Sequence, residues 1–593
     1  MNDHALGLPA MPGRLVGWQL LGILSAFFAQ GTVGAADAPP LSKPVKAERP
    51  IPDDATKRDL LKSLDMVVQD VKAEKDPNSR ANAFINAAYA QAKLGEIEKA
   101  RRTFGSAAQS AREIEDKKYR LIRLKVIIGE QAGIRDLKGI EETSDILLEE
   151  SEKPDASAKE LCLSSKIQVQ NEIAKDLARS GKIAQARERF QASLELLEGY
   201  GENVEAWKRS LGNTLVALVT VGELDFAFKT LAAIPQSSRE IRGSLLSIVV
   251  GSSWPESSQT DQEVLERLLK FSDGLPGDRV RPLIFQKLTV ARARSGDLSG
   301  ALRCVEWFTD DLTKANMLGH VVGERAKAGD FRGAYEMVHM IGKGASDPRT
   351  IKFKASAFET IAKEERRRGD LAAARRAWDE AIRIAEKFDT DLQRAEQLAV
   401  ITSARADLGD IAGALKVVES IRGDDHQKGQ AMVAIARAQL RADQRADAIS
   451  TLKRASEILE QVSIEIKQMK ERNGRERNDA LRPLAIAFAE AGLLDEAVNH
   501  AMAFDEIYFQ APIIANIAVV QVQKGDVEGA LKTVGRISDS SHKAYAMGEV
   551  ARTQAASGHA AEARLWIDKL ESPMHRAIVY RSMVNAFAWP GRP

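Results

Sequence analysis

The sequence predicts an all-α protein, a right-handed α-solenoid of about thirteen helix–turn–helix hairpins. Three observations predict it. A Gly-x-x-x-x-Ala pattern recurs along almost the whole chain. Apolar residues recur at three- and four-residue spacing on both sides of each glycine, which places them on one stripe of a helix. Apart from two longer intervals, Gly95 to Gly181 and Gly222 to Gly296, the copies lie 33 to 49 residues apart, a period at which each unit buries its apolar face on its neighbours.

The pattern starts at Gly95, Gly181, Gly222, Gly296, Gly329, Gly369, Gly409, Gly492, Gly525 and Gly558, and returns at Asp443 with aspartate for glycine. Around Gly525, Ile513, Ile514 and Ile517 mark the helix before the turn, and Val527, Leu531 and Val534 the helix after it. Glycine ends the first helix because it adopts positive φ without a side-chain clash. The aspartate that often follows (Asp297, Asp330, Asp370, Asp410, Asp526) is placed to cap the second helix. The alanine five residues after the glycine lets the two helices approach closely. Two weaker units fill the gaps. One centres on Gly133, with Lys138 at the alanine place, and one turns at Trp254-Pro255. The helix at Pro573 to Phe587 is expected to stand alone as a cap.

These features resemble the tetratricopeptide repeat, a helical hairpin with Gly-Asp at its turn. A large apolar residue nine positions after the glycine (Phe104, Phe190, Trp378, Val534) and a small one seven before it (Ala88, Ala174, Ala362, Ala518) add to the likeness. The family's aromatic four positions before the glycine is mostly absent; Leu177, Glu365 and Gln521 stand there. The array is therefore TPR-like over residues 54–590, either as one stack or as two segments at about 54–235 and 236–590. The resemblance implies binding by the concave surface, which the first helices line.

Before the array, Leu15 to Phe28 is apolar, Arg14 precedes it and Val33-Gly34-Ala35 follows. This reads as a signal peptide at 1–35, with a proline-rich linker at 36–53, and places the mature chain outside the cytoplasm, periplasmic or secreted. No later stretch approaches membrane-spanning length. Cys162 and Cys304 lie far apart and read as small core residues, not a disulfide.

Fifteen residues before the turn a cation is nearly always present: Arg80, Lys118, Lys166, Arg281, Lys314, Lys354, Arg394, Lys428, Arg477 and Lys543, with Arg239 if Trp254 is a turn. A cation at a helix start opposes the helix dipole at a cost of ~0.3–1 kcal/mol when exposed. Either it caps the end of the preceding helix and pairs with nearby acids, or the cations form a basic ladder for an extended acidic partner. Lys363, Arg366, Arg367, Arg437 and Arg441 are expected in the groove. With Lys314, Lys354, Arg394 and Lys428 they are the candidate partner-binding residues.

No catalytic or metal-binding spacing is present, and no cofactor is implied. Asp389-Thr390-Asp391 reads as a cap between repeats. Net charge is +1 with 28% charged residues, on which ground the sequence reading excludes nucleic acid. It points to a non-enzymatic scaffold for a protein or peptide. The alternative is an enzyme or enzyme accessory acting on an envelope polymer such as peptidoglycan, which would need a cleft holding a glutamate of raised pKa.

Overall fold

The computed structural model describes residues 50–150, 156–201, 203–234, 238–251, 265–270, 280–343, 349–468, 474–504 and 506–588. The expected signal peptide, most of the linker, the Trp254-Pro255 turn and the side chain of Arg477 lie outside the described residues.

The described residues form helices and no strand. They are α1 (Asp54–Val71), α2 (Pro77–Lys93), α3 (Ile97–Arg112), α4 (Lys117–Gly133), α5 (Leu137–Glu149), α6 (Ala156–Arg179), α7 (Ile183–Glu195), α8 (Val204–Thr220), α9 (Leu224–Ala232) and α10 (Arg239–Gly251). Beyond a helical stretch at 265–270 follow α11 (Val280–Ser295), α12 (Leu298–Glu306), α13 (Asp311–Ala328), α14 (Phe331–Val338), α15 (Thr350–Arg367), α16 (Leu371–Ala385), α17 (Asp391–Asp407), α18 (Ile411–Val418) and α19 (Asp425–Arg441). The last eight are α20 (Arg445–Gln468), α21 (Gly474–Glu490), α22 (Leu494–Met502), α23 (Ile507–Gln523), α24 (Val527–Val534), α25 (Ser540–Ala556), α26 (Ala560–Ile567) and α27 (Pro573–Val584).

The turns behave as the sequence predicts. The ten predicted glycines all have positive φ, and Asp443 takes the same conformation at φ 58. The alanine after each turn is buried, as at Ala100, Ala374 and Ala563. One turn differs. Between α4 and α5 the positive-φ residue is Arg135 (φ 64), not Gly133. The alanine place there is filled by Ile140, fully buried, and not by Lys138. A register counted from the turn residue then holds along the chain. Nineteen residues before the turn, Asp76, Asp116, Asn203, Asp310, Thr390, Asp424 and Asp539 accept a hydrogen bond from a backbone N–H of the first helix. In Asp389-Thr390-Asp391 it is therefore the threonine that caps.

The lone-cap expectation for α27 is corrected. Neighbouring first helices pack side by side along the array, and the series does not stop at α27, which packs on α2. Helix α1 packs on α27 and on α2, as a second helix packs on its own first helix and on the next one, and it also touches the preceding second helix α26. Its buried residues Leu60, Ser63, Leu64, Val67 and Val71 repeat, at a constant offset of 40, the buried Ala100, Thr103, Phe104, Ala107 and Ala111 of α3. Thus α27 from the C-terminal end and α1 from the N-terminal end make one more hairpin, and the solenoid closes into a ring. Arg576 Nη2 to Asp70 Oδ2 (2.8 Å), Arg581 to Glu130 (2.7 Å) and Tyr89 Oη to Asn585 Oδ1 (3.0 Å) tie the junction. A single buried core cluster spans it from Leu60 to Phe587.

First helices approach each other to different degrees along the array, and around α14 and α16 the degree follows the length of the second helix. Where the second helix is short, as in α14 (8 residues), its flanking first helices α13 and α15 pack closely. Where it is long, as in α16 (15 residues), the flanking α15 and α17 barely touch.

Candidate ligand-binding inner face

Each first helix is covered on one side by second helices and on two sides by its neighbours. Its remaining stripe, at 13, 9, 6 and 2 residues before the turn, faces the inside of the ring. The spacing of four, three and four residues keeps these side chains on one helical face. Of the large exposed apolar side chains of the first helices, Ile122, Leu283, Val400 and Tyr545 fall on this stripe, and Tyr119, Leu392 and Tyr508 lie one helical turn before it. They sit toward the helix starts.

The helix ends carry charges, and these are paired. Arg437 holds Glu490 through two hydrogen bonds (2.8 and 2.6 Å), and Arg441 reaches Asp407 (2.7 Å). Lys363 pairs with Glu359, and Arg367 with Glu364. Four of the five groove residues predicted from sequence thus face inward, each neutralised by an acid. Arg366 does not join them. Its Nε donates to the backbone O of Leu408 (2.7 Å), at the neighbouring turn.

The cations fifteen residues before the turn act as helix-end clamps where their bonds are resolved. Arg80 donates to the Glu74 carbonyl (2.7 Å) and pairs with Glu113 on the second helix of its own hairpin. With the turn placed at Arg135 the equivalent residue is Arg120, not Lys118. It donates to the Ile114 carbonyl (3.0 Å) and pairs with Glu150 (2.5 Å). Arg394 donates to the Phe388 carbonyl (3.1 Å) and pairs with Asp391. Lys428 lies 4.0 Å from Glu419. Arg242 donates to the Ile234 carbonyl (3.0 Å), and the side chain of Arg239 lies outside the described residues. Orphan carbonyls at a helix end attract cations, which offsets the unfavourable dipole at the helix start. These residues serve the fold.

A second recurring bond was not anticipated. Six residues after the turn, Arg101, Arg187 and Arg375 reach the acid just after the next turn: Asp136 (2.7 Å), Glu223 (2.8 Å) and Asp410 (2.7 Å). These hydrogen bonds hold the three guanidiniums above their usual pKa. The signal was legible as an Arg at one fixed register position and an acid at another.

The gap between α15 and α17 forms a cleft of about 750 Å³, with Ile351, Ile384, Phe388 and Val400 among its walls. Lys352, Lys354, Lys387 and Gln397 also line it. A shallower second cleft, of about 480 Å³, adjoins it through Val400 and is lined by Lys363, Arg367 and Asp407. Of the predicted candidates, Lys354, Lys363 and Arg367 therefore gather around α17. Lys314 is partly buried at the start of α13 and lines neither cleft. Glu365 has the raised pKa that an enzyme reading asks for, and burial is the main cause. It is only 4% exposed, receives the Tyr335 hydroxyl (3.2 Å) and opens onto neither cleft. Among the described residues no cluster of histidine, cysteine or carboxylate groups fits a metal ion, and Cys162 and Cys304 are buried free thiols.

The chain is an all-helical solenoid of repeated helix–turn–helix hairpins. No protein-family model matches it, and no curated protein matches it. Among solved structures it is similar to Ton1535 from Thermococcus onnurineus NA1 (15% identity, 66% of this chain and 98% of that one, TM-score 0.22). It is also similar to the pentatricopeptide repeat protein PPR10 in complex with an 18-nt psaJ RNA element (12%, 82% and 83%, TM-score 0.26). A third is a circular tandem repeat protein (14%, 89% and 99%, TM-score 0.14). The exclusion of nucleic acid is corrected by the second of these, a helical-repeat protein solved with RNA. A net charge averaged over a whole chain does not report the charge along one face, so it excludes no ligand. No helix of the described residues is long and apolar enough to cross a membrane.

Proposed function

We propose that this chain is a non-catalytic interaction scaffold, working outside the cytoplasm, that holds an extended polypeptide against the inner face of its ring. The observation that carries this reading is the set of exposed apolar side chains along the first helices, among them Tyr119, Leu283 and Tyr545, beside the paired charges at the ends of α15 and α19. Apolar side chains spaced along a surface suit an extended peptide with alternating anchors. The buried position of Glu365 under Tyr335 supports a binding role over the polymer-processing alternative. The extracytoplasmic placement rests on the apolar run Leu15 to Phe28.

The test uses the chain from Ala36 onward as bait, beside a Tyr119→Asp/Leu283→Asp/Tyr545→Asp variant of equal helicity. A polypeptide retained by the wild type, lost by the variant and indifferent to nuclease is the expected result. Retention that nuclease abolishes would replace the polypeptide with a nucleic acid, and equal retention by the variant would move binding off the inner face. N-terminal sequencing of the exported chain should begin near Ala36; a chain recovered inside the cytoplasm with its N-terminus intact contradicts the placement.

A further inference from the structure

Two gaps between first helices are built alike and finished differently. The hairpins α2–α3 and α15–α16 both have a period of 40 residues to the next turn, from Gly95 to Arg135 and from Gly369 to Gly409. Their second helices have 16 and 15 residues. In the first gap, the residue twelve before the next turn is Arg123, which crosses from α4 to Asn78 on α2 (2.7 Å). At its edge Arg80 is paired with Glu113. Protein groups thus bridge this gap in its middle and pair at its edge.

In the second gap the same register positions hold Gln397 for Arg123, Lys352 for Asn78, Lys354 for Arg80 and Lys387 for Glu113. All four line the 750 Å³ cleft. The ion pair of the first gap has become two lysines. Lys352, Lys354 and Lys387 form no ion pair or hydrogen bond through their side chains among the described residues, in contrast to Lys363 and Arg367 nearby. Gln397 is 6% exposed, and its Nε2 donor has no partner. A buried amide donor left unsatisfied is destabilising, and a ligand acceptor would relieve it. The unmatched groups include three ammonium ions and an N–H donor beside the apolar Ile351, Ile384 and Phe388. Asp389 and Glu396 stand on the lining as well and disfavour a ligand of high negative charge.

We propose that the α15/α17 cleft is a binding site for an amphipathic carboxylate: one negative head held by Lys354, Lys387 and Gln397, with an apolar body against Phe388 and its neighbours. The volume falls in the range of small-ligand sites. The ligand supplies the acid that Glu113 supplies in the sealed gap. The site is independent of the polypeptide reading above, whose test residues Tyr119, Leu283 and Tyr545 lie elsewhere on the ring.

Thermal unfolding of the whole chain tests this with sodium octanoate as probe, against sodium chloride at equal ionic strength. Octylammonium chloride, inorganic phosphate and the acetylated amide Leu-Glu-Leu are run beside it. Octanoate should raise Tm with a saturable dose dependence that octylammonium and phosphate lack. Lys387→Glu, which recreates the ion pair, and Gln397→Leu, which removes the unmatched donor, should each abolish the rise while keeping wild-type helicity. A rise with the peptide but not octanoate would assign the carboxylate to a polypeptide side chain. No rise with either, a rise kept in both variants, or a rise with phosphate alone would overturn the proposal.

Discussion

The α2/α4 gap and the α15/α17 gap begin from the same design. A long second helix pushes the next first helix away, and a wedge opens between them. In the first, Arg123, Asn78, Arg80 and Glu113 close the wedge. In the second, Gln397, Lys352, Lys354 and Lys387 leave it open. The difference teaches that backbone spacing creates the opportunity for a site and a few register positions decide whether it is used. Burial pushes the Arg123 guanidinium below its usual pKa, as expected of a cation enclosed to fill space.

The largest expected effect concerns the ring that holds both gaps in place. Leu64 is fully buried in the hairpin made from the two chain ends. Leu64→Ala should cost about 2–5 kcal/mol, read as a lower midpoint in urea. It should also enlarge the radius of gyration in small-angle scattering. A loss of stability without expansion would mean that α1 is merely packed on the ring and does not close it. An Asp70→Cys/Arg576→Cys pair, in place of the 2.8 Å ion pair, should be joined within one chain by a bis-maleimide about as long as the arginine side chain it replaces; an open solenoid would give no such crosslink.

A smaller effect sharpens the contrast between buried groups that are matched and those that are not. Burial raises the Glu365 pKa. A carboxyl whose folded pKa exceeds its unfolded value contributes stability below the unfolded pKa of about 4.3 and loses it as pH rises through the folded one. Glu365→Gln keeps an acceptor for the Tyr335 hydroxyl and removes the charge. It should therefore raise Tm at pH 7 and leave it unchanged near pH 4. An equal rise at both pH values would show that charge is not the cause.

Much of the fold is legible in the sequence because glycine marks a positive-φ turn and alanine a close approach. Arg135 escapes that reading, since an arginine at φ 64 carries no such mark. Once it is taken as the turn, Arg120 and Asp116 fall into register with Arg80 and Asp76. Ring closure is harder to see, because the contact between Ser63 and Asp568 joins residues 505 apart. The register does hold a trace of it. Ser572 and Arg576 occupy the cap and clamp positions of a first helix, and α1 takes the second-helix place beside it. The inner-face candidates Lys363, Arg367, Arg437 and Arg441 were legible from helical spacing. Their acid partners were less so, since Arg437 and Glu490 lie on different hairpins. The cleft was not legible at all. It depends on comparing one hairpin with another in a shared register, and that register needs the turn at Arg135.

The most direct measurement transplants the sealed gap into the open one. A Lys352→Asn/Lys387→Glu/Gln397→Arg variant carries the residues of the α2/α4 gap at the equivalent positions of α15–α17. Thermal unfolding should show a Tm above that of the wild type without ligand and no further rise with octanoate. A Tm at or below wild type, with the octanoate response intact, would contradict the claim that these positions decide whether the wedge is sealed or kept for a ligand.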